Sequence, residues 1–167
     1  MATSTDSVPP VIESLYKSVL ARATDAGLFG PCHVSGAKLI CEAKGAGDHA
    51  EYRLVFDGSQ LWVALVTPGR YLSQSIEQTL VFSGDKAGDL LRDELIDLGA
   101  VADRNSTAPV VEHFRDPEKL YTFRTPLGIS TANAADAASV KKAGDYLLGY
   151  AQTFGHLGDM EGDEEEE

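Results

Sequence analysis

Residues 51–66 read E-Y-R-L-V-F-D-G-S-Q-L-W-V-A-L-V, and the fold depends on this stretch. In its first half apolar and charged side chains alternate, which is the two-residue period of a half-buried strand. Asp57-Gly58 then signals a tight turn. Residues 61–66 that follow are apolar on both faces. The stretch therefore predicts a β-hairpin whose second strand is covered on both sides.

Helical periodicity appears before and after this hairpin. Residues 7–26 carry apolar side chains at three- and four-residue spacings, and Gly27 follows as a helix stop. Residues 71–84 suit either period, whereas 85–98 carry a clear helical stripe, so we predict helix over 71–98 with a break at Ser83-Gly84. A last amphipathic helix is predicted over residues 132–154.

Two-residue periodicity marks three further strands, at residues 37–43, 110–115 and 120–125, with a Pro117-containing turn joining the last two. The predicted order is helix, three strands, helix, two strands, helix. Antiparallel hairpins with grouped helices are typical of an α+β fold. We expect a mainly antiparallel five-stranded sheet with the helices packed on one face.

Length and charge narrow the class of protein. A chain of 167 residues with 43% hydrophobic residues suffices for one domain, which we place at residues 7–154 between a disordered start, 1–6, and a disordered acidic tail, 155–167. The net charge is −12, and seven of the 26 acids lie in the tail. The 14 basic residues form no dense cluster, which argues against nucleic acid as a partner. Without an apolar span or signal core, we expect a cytoplasmic protein.

Motifs for catalysis and cofactor binding are missing from the sequence. It contains no phosphate-binding loop, nucleophile elbow or zinc signature, and we predict neither a cofactor nor a metal. His113, beside Glu112 in a predicted strand, is the only candidate general base, and a half-exposed edge-strand histidine is the simpler interpretation. Cys32 and Cys41, nine residues apart around a predicted strand, are expected to be free thiols too distant for a disulfide.

Trp62 raises the question of what covers its strand. It lies on one face with Ala64 and Val66, while the alternate residues 61, 63 and 65 are also apolar. Either a helix or another chain must therefore cover the second face. We expect a homodimer whose interface, also the candidate partner-binding surface, lies near Trp62, Val66, Leu91 and Leu95.

Three stretches also resemble a known family. They are V-I-E-S-L-Y-K-S-V-L at 11–20, L-V-F-D-G-S-Q-L-W-V-A-L-V at 54–66 and Y-L-L-G-Y at 146–150. With the order of elements, they resemble the type III secretion chaperone-like fold and, within it, the YbjN family of bacterial proteins. The resemblance implies an acidic, non-catalytic homodimer that holds a partner polypeptide. The alternative is a small-ligand-binding protein or enzyme with a pocket between sheet and helices.

Overall fold

The structure, a computed structural model, describes residues 8–43, 50–83, 86–101, 103, 105, 108–115 and 120–155. Its helices are α1 (Pro10–Ala26), α2 (Arg70–Ser83), α3 (Ala87–Asp97) and α4 (Ala137–Gly155). Its strands are β1 (Phe29–Ser35), β2 (Lys38–Ala43), β3 (Glu51–Phe56), β4 (Leu61–Thr67), β5 (Glu112–Arg115) and β6 (Tyr121–Pro126).

The strands form one antiparallel sheet in the order β1-β2-β3-β4-β6-β5. The first four strands are sequential neighbours, and the two helices α2 and α3 separate them from the β5–β6 hairpin. β6 returns beside β4, with Phe123 opposite Leu65. This leaves β1 and β5 as the edge strands of the sheet.

The first helix illustrates how the sequence specifies its elements. Two prolines open it, where a missing N–H costs nothing, and Gly27 ends it with a φ of 72°, a left-handed conformation that favours glycine. Its buried side chains, spaced by three or four residues, are Ile12, Leu15, Tyr16, Val19 and Ala23. The Tyr16 hydroxyl donates a hydrogen bond to the carbonyl of Ala37 at 2.5 Å, which ties the helix to the start of β2.

The core lies between the helices and one face of the sheet, which we call the helix face. Tyr150 and Phe154 of α4 are fully buried there, and the Tyr150 hydroxyl lies 2.7 Å from Oγ1 of Thr125 in β6. Beside this apolar layer, the buried carboxylate of Asp145 accepts hydrogen bonds from Arg22 of α1 at 2.5 Å and from Lys141 at 2.7 Å. The apolar contacts with the sheet and the ion pair between Arg22 and Asp145 hold α4 in place.

The predicted α+β class and antiparallel sheet are confirmed, but the counts of elements differ. Among the described residues the sheet has six strands instead of five, because β1 was not predicted. Its Gly30-Pro31 pair breaks the alternating pattern, and proline is tolerated in β1 because β1 is an edge strand. Residues 71–83 are helical, and the predicted break falls between α2 and α3. The predicted turn at 116–119, the start at 1–6 and the tail after 155 lie outside the described residues.

The predicted separation of the two cysteines was wrong. Because β1 folds back antiparallel onto β2, Cys32 stands directly opposite Cys41 in the ladder. Both are free thiols, as expected.

Candidate functional site

The two faces of the sheet differ in what covers them. Side chains of α1, α2 and α4 contact the helix face, and α3 packs on α4. The opposite side, which we call the far face, carries the alternate residues of each strand and no helix from the described part of the chain. Of the two covers that the sequence left open for the second face of β4, a helix or another chain, the described residues provide no helix.

A groove of about 280 Å³ lies at the centre of this far face. Its apolar floor includes Val55, Ala64 and Val66, of which the last two are only 4% and 5% exposed. Neighbouring side chains on β3, β4 and β6 provide that burial. The charged residues of the lining are three cations and one acid, namely Lys38, Arg53, Arg124 and Asp57. Phe114, at 36% exposure one of the two exposed large hydrophobic residues among those described, forms one wall.

Arg124 is held between two aromatic rings in this groove. Its guanidinium carbon lies 3.8 Å from the centroid of the Trp62 ring and 4.9 Å from that of Phe114. Its Nε donates to Glu112 Oε1 at 2.9 Å. Stacking and this hydrogen bond fix the plane of the guanidinium, and the terminal nitrogens have no hydrogen-bond partner among the described residues. The terminal nitrogens thus form a preoriented fork suited to a carboxylate.

The position of Trp62 is set by the turn between β3 and β4. Asp57 Oδ2 accepts a hydrogen bond from the Trp62 indole Nε1 at 2.8 Å, while Oδ1 accepts from the N–H groups of Ser59 and Gln60 and from the Ser59 hydroxyl. Burial raises the pKa of Asp57, but these four hydrogen bonds outweigh burial and lower it well below its usual range. Gly58, at φ 99°, provides the left-handed residue of the turn. The Asp57-Gly58 pair therefore both reverses the chain and orients the tryptophan.

Arg53 extends the cationic lining toward β2. Its Nη2 lies 2.6 Å from Oε1 of Glu51 on the same strand, and both side chains are largely covered. Lys38 lies on the neighbouring strand, opposite Val55. The groove thus combines an aromatic wall, an apolar floor and cationic groups placed around it.

The four residues predicted for the interface do not share one surface. Trp62 and Val66 line the groove, as the sequence pattern indicates. Leu91 and Leu95 are fully buried on the other side of the molecule, where α3 packs on α4. A Cβ atom at Gly149 would lie 3.1 Å from Leu91 and 3.2 Å from Leu95. Because the apolar stripe of α3 faces α4, these two leucines belong to the core and reach no partner in this conformation.

His113 takes part in a second polar cluster, on the helix face. Its ring stacks on Phe123 at 3.9 Å, Nε2 lies 3.1 Å from the Ser73 hydroxyl, and Nδ1 lies 2.9 Å from Glu77 Oε2. The carboxylate beside His113 is therefore Glu77 rather than the expected Glu112, which points to the far face and pairs with Arg124. Residues 73 and 77 are four apart on α2 and so share a helix face.

The environment of this cluster limits its chemistry. Burial lowers the pKa of His113, and the charge of Glu77 opposes that shift. When its own proton is on Nδ1, the neutral imidazole accepts a hydrogen bond from the Ser73 hydroxyl at Nε2 and donates one to Glu77. Ser73 itself is only 1% exposed, so its hydroxyl is enclosed between α2 and β5. No local pattern marks Ser73 as a partner of His113, because the contact joins segments 40 residues apart.

Comparison with protein-family models, with curated proteins and with solved structures gives no match for this chain. None of the described helices is both long enough and apolar enough to span a membrane. The described residues also contain no group of three or more side chains arranged to hold a metal ion.

Proposed function

We propose that this protein is a non-catalytic polypeptide-binding module that uses the groove on its far face. The observation that carries the proposal is the Arg124 guanidinium, stacked between Trp62 and Phe114 with its terminal nitrogens directed to no described protein group. Ordering such a side chain before a partner arrives reduces the entropy cost of binding. Tryptophan and arginine are also the residues that most often dominate binding energy at protein interfaces.

The chemistry of the groove selects the partner. Arg53 and Arg124 each pair with a glutamate, but the terminal nitrogens of Arg124 favour an acidic side chain, and the aromatic rings of Trp62 and Phe114 favour apolar neighbours. The occupant is therefore a segment of another protein with a glutamate or aspartate between apolar residues. A charge-assisted hydrogen bond is worth about 1.5–3 kcal/mol, which corresponds to about 10- to 100-fold in affinity. The overall negative charge of the chain opposes long-range attraction, so specificity rests on the local contact.

A fluorescence titration tests this proposal, because Trp62 is the only tryptophan in the chain. The ligand is a short end-blocked peptide with one glutamate between leucines, and its control has glutamine at that position. We expect the glutamate peptide to change the Trp62 emission and to bind at least about tenfold more tightly than the glutamine peptide. End-blocking removes the terminal carboxylate, so only the side chain supplies the charge.

Two protein variants locate the contact. Arg124→Gln should reduce affinity for the glutamate peptide to the level of the glutamine peptide. Arg115→Gln is the matched control: Arg115 lies on the adjacent strand β5, stacks on Tyr121 at 5.5 Å and points to the helix face, so affinity should not change. Equal affinity for both peptides, or equal effects of both variants, would contradict the proposal.

A second candidate function, a serine hydrolase, rests on the hydrogen-bonded series Ser73, His113 and Glu77. Its order of serine, imidazole and carboxylate is that of a nucleophile, its base and the group that orients the base. The 1% exposure of Ser73 argues for a structural role, because an acyl substrate cannot reach the hydroxyl. A fluorophosphonate probe separates the two: we expect no labelling, and labelling lost in Ser73→Ala would favour the hydrolase.

Homodimer formation and membership of the chaperone-like fold are also part of the proposal. An antiparallel sheet with helices on one face suits that fold, and a free far face suits the partner-holding role that the family resemblance implies. Light scattering at micromolar concentrations tests the dimer. A mass of 17.8 kDa at every concentration would refute the dimer, while a dimer lost in Trp62→Ala would place the second copy in the groove.

A further inference from the structure

The two cysteines of the chain face each other across the edge of the sheet. Cys32 on β1 is the direct antiparallel partner of Cys41 on β2. Residues opposite each other in such a pair have Cα atoms about 4.5 to 5.5 Å apart and side chains on the same face. Disulfides span Cα separations of about 4.4 to 6.8 Å. The ladder therefore already holds the pair at disulfide spacing.

Burial distinguishes the two sulfur atoms. Cys41 is fully buried, whereas Cys32 on the edge strand is half-buried, with its Sγ 3.4 Å from the carbonyl oxygen of Gly30. Burial raises the pKa of the Cys41 thiol, and the neighbouring Cys32 thiol raises it further. Cys32 is therefore the cysteine that a dissolved oxidant reaches, and Cys41 is the buried thiol beside it.

We propose that Cys32 and Cys41 are a modification site at which a peroxide forms a reversible cross-strand disulfide. The Cys32 thiolate attacks one oxygen of hydrogen peroxide, the O–O bond breaks, and Cys32 becomes a sulfenic acid as hydroxide leaves. The Cys41 sulfur then attacks the Cys32 sulfur, and the S–O bond breaks. The departing oxygen takes the Cys41 proton and leaves as water. In total, the two thiols lose two electrons and two protons, and one peroxide becomes two waters.

The product would fasten β1 to β2. An edge strand is hydrogen-bonded on one side only, and β1 is further interrupted by an irregular register between Phe29 and Cys32. A covalent link at the Cys32–Cys41 rung removes the opening of this edge as a route to local unfolding. This inference concerns the β1 edge alone and is independent of peptide binding in the groove.

Peptide mapping of the native protein tests the site directly. The folded protein is treated with hydrogen peroxide, alkylated, unfolded and digested with trypsin, without reductant. Because Lys38 lies between the cysteines, cleavage places Cys32 in residues 23–38 and Cys41 in residues 39–44. We expect these two peptides joined, with an intact chain lighter by two hydrogen atoms, and their separation after treatment with dithiothreitol.

Single-cysteine variants assign the roles. In Cys41→Ser, Cys32 should proceed to the sulfinic acid because its resolving thiol is absent; in Cys32→Ser, the buried Cys41 should resist the same peroxide treatment. Peptides that gain oxygen atoms but remain unlinked in the wild type would overturn the proposal. Linkage only between two chains would overturn it too. The wild-type mapping stands even if a variant fails to fold.

Discussion

Truncating Leu91 distinguishes a core residue from an interface residue. Leu91 is fully buried, and its Cδ1 lies close to Gly149, which has no side chain able to move into the space that Leu91→Ala would open. Leucine-to-alanine changes in cores cost about 2–5 kcal/mol, and the loss increases with the cavity that remains. Because the α4 backbone forms the wall at this position, we expect the upper part of that range, about 3–5 kcal/mol.

Urea denaturation of Leu91→Ala measures this loss, with Leu90→Ala as the matched control on the same helix. Leu90 is only partly buried, so its truncation should cost less. For a domain of this size, the expected loss corresponds to a melting temperature lower by roughly 6–20 °C. An unchanged denaturation midpoint, together with a lower mass in light scattering, would show that Leu91 lies at an interface and would refute its assignment to the core.

Three further predictions follow from charged and terminal residues. Asp145→Asn should lower the free energy of unfolding by about 1–3 kcal/mol, because the amide is a weaker buried acceptor for Arg22 and Lys141 than the carboxylate. The side chains of Arg22 and Lys141 are partly exposed and remain hydrated in the variant. No loss of stability in chemical denaturation would contradict the role of Asp145. Burial lowers the pKa of His113 in the folded protein, so its contribution to the free energy of unfolding is present above the unfolded pKa of about 6.5 and is lost as pH falls through the lower folded pKa. His113→Gln should therefore make the free energy of unfolding less dependent on pH below about pH 6.5. An unaltered pH profile would argue against this assignment. Deleting residues 158–167 should change the free energy of unfolding by no more than about 0.5 kcal/mol, whereas a larger loss would mean that the tail packs on the domain.

Local patterns were sufficient for the elements whose signals are local. The alternation at 51–56 and the Asp57-Gly58 turn predicted the β3–β4 hairpin, and the apolar stripes predicted α1 and α4. The strand β1 was not predicted because Gly30-Pro31 interrupts its alternating pattern. Without β1, the cross-strand pairing of Cys32 with Cys41 could not be predicted.

The candidate groove depends on contacts that are distant in sequence. Trp62 could be predicted as an interface residue because its strand is apolar on both faces. Arg124 could not, since its position beside the Trp62 ring follows from the pairing of β4 with β6. That register is set by tertiary structure and not by any period within either strand. The same holds for His113, whose partners come from α2 rather than from its own strand.

The most direct test of the polypeptide-binding account is the NMR signal of the Trp62 indole N–H. This single signal reports on the hydrogen bond to Asp57 at one end of the groove. Adding the glutamate peptide should shift it together with the Arg124 Nε–H signal, while the His113 ring signals on the opposite face remain in place. Shifts confined to His113 and α2, with the Trp62 indole unmoved at saturation, would contradict the account.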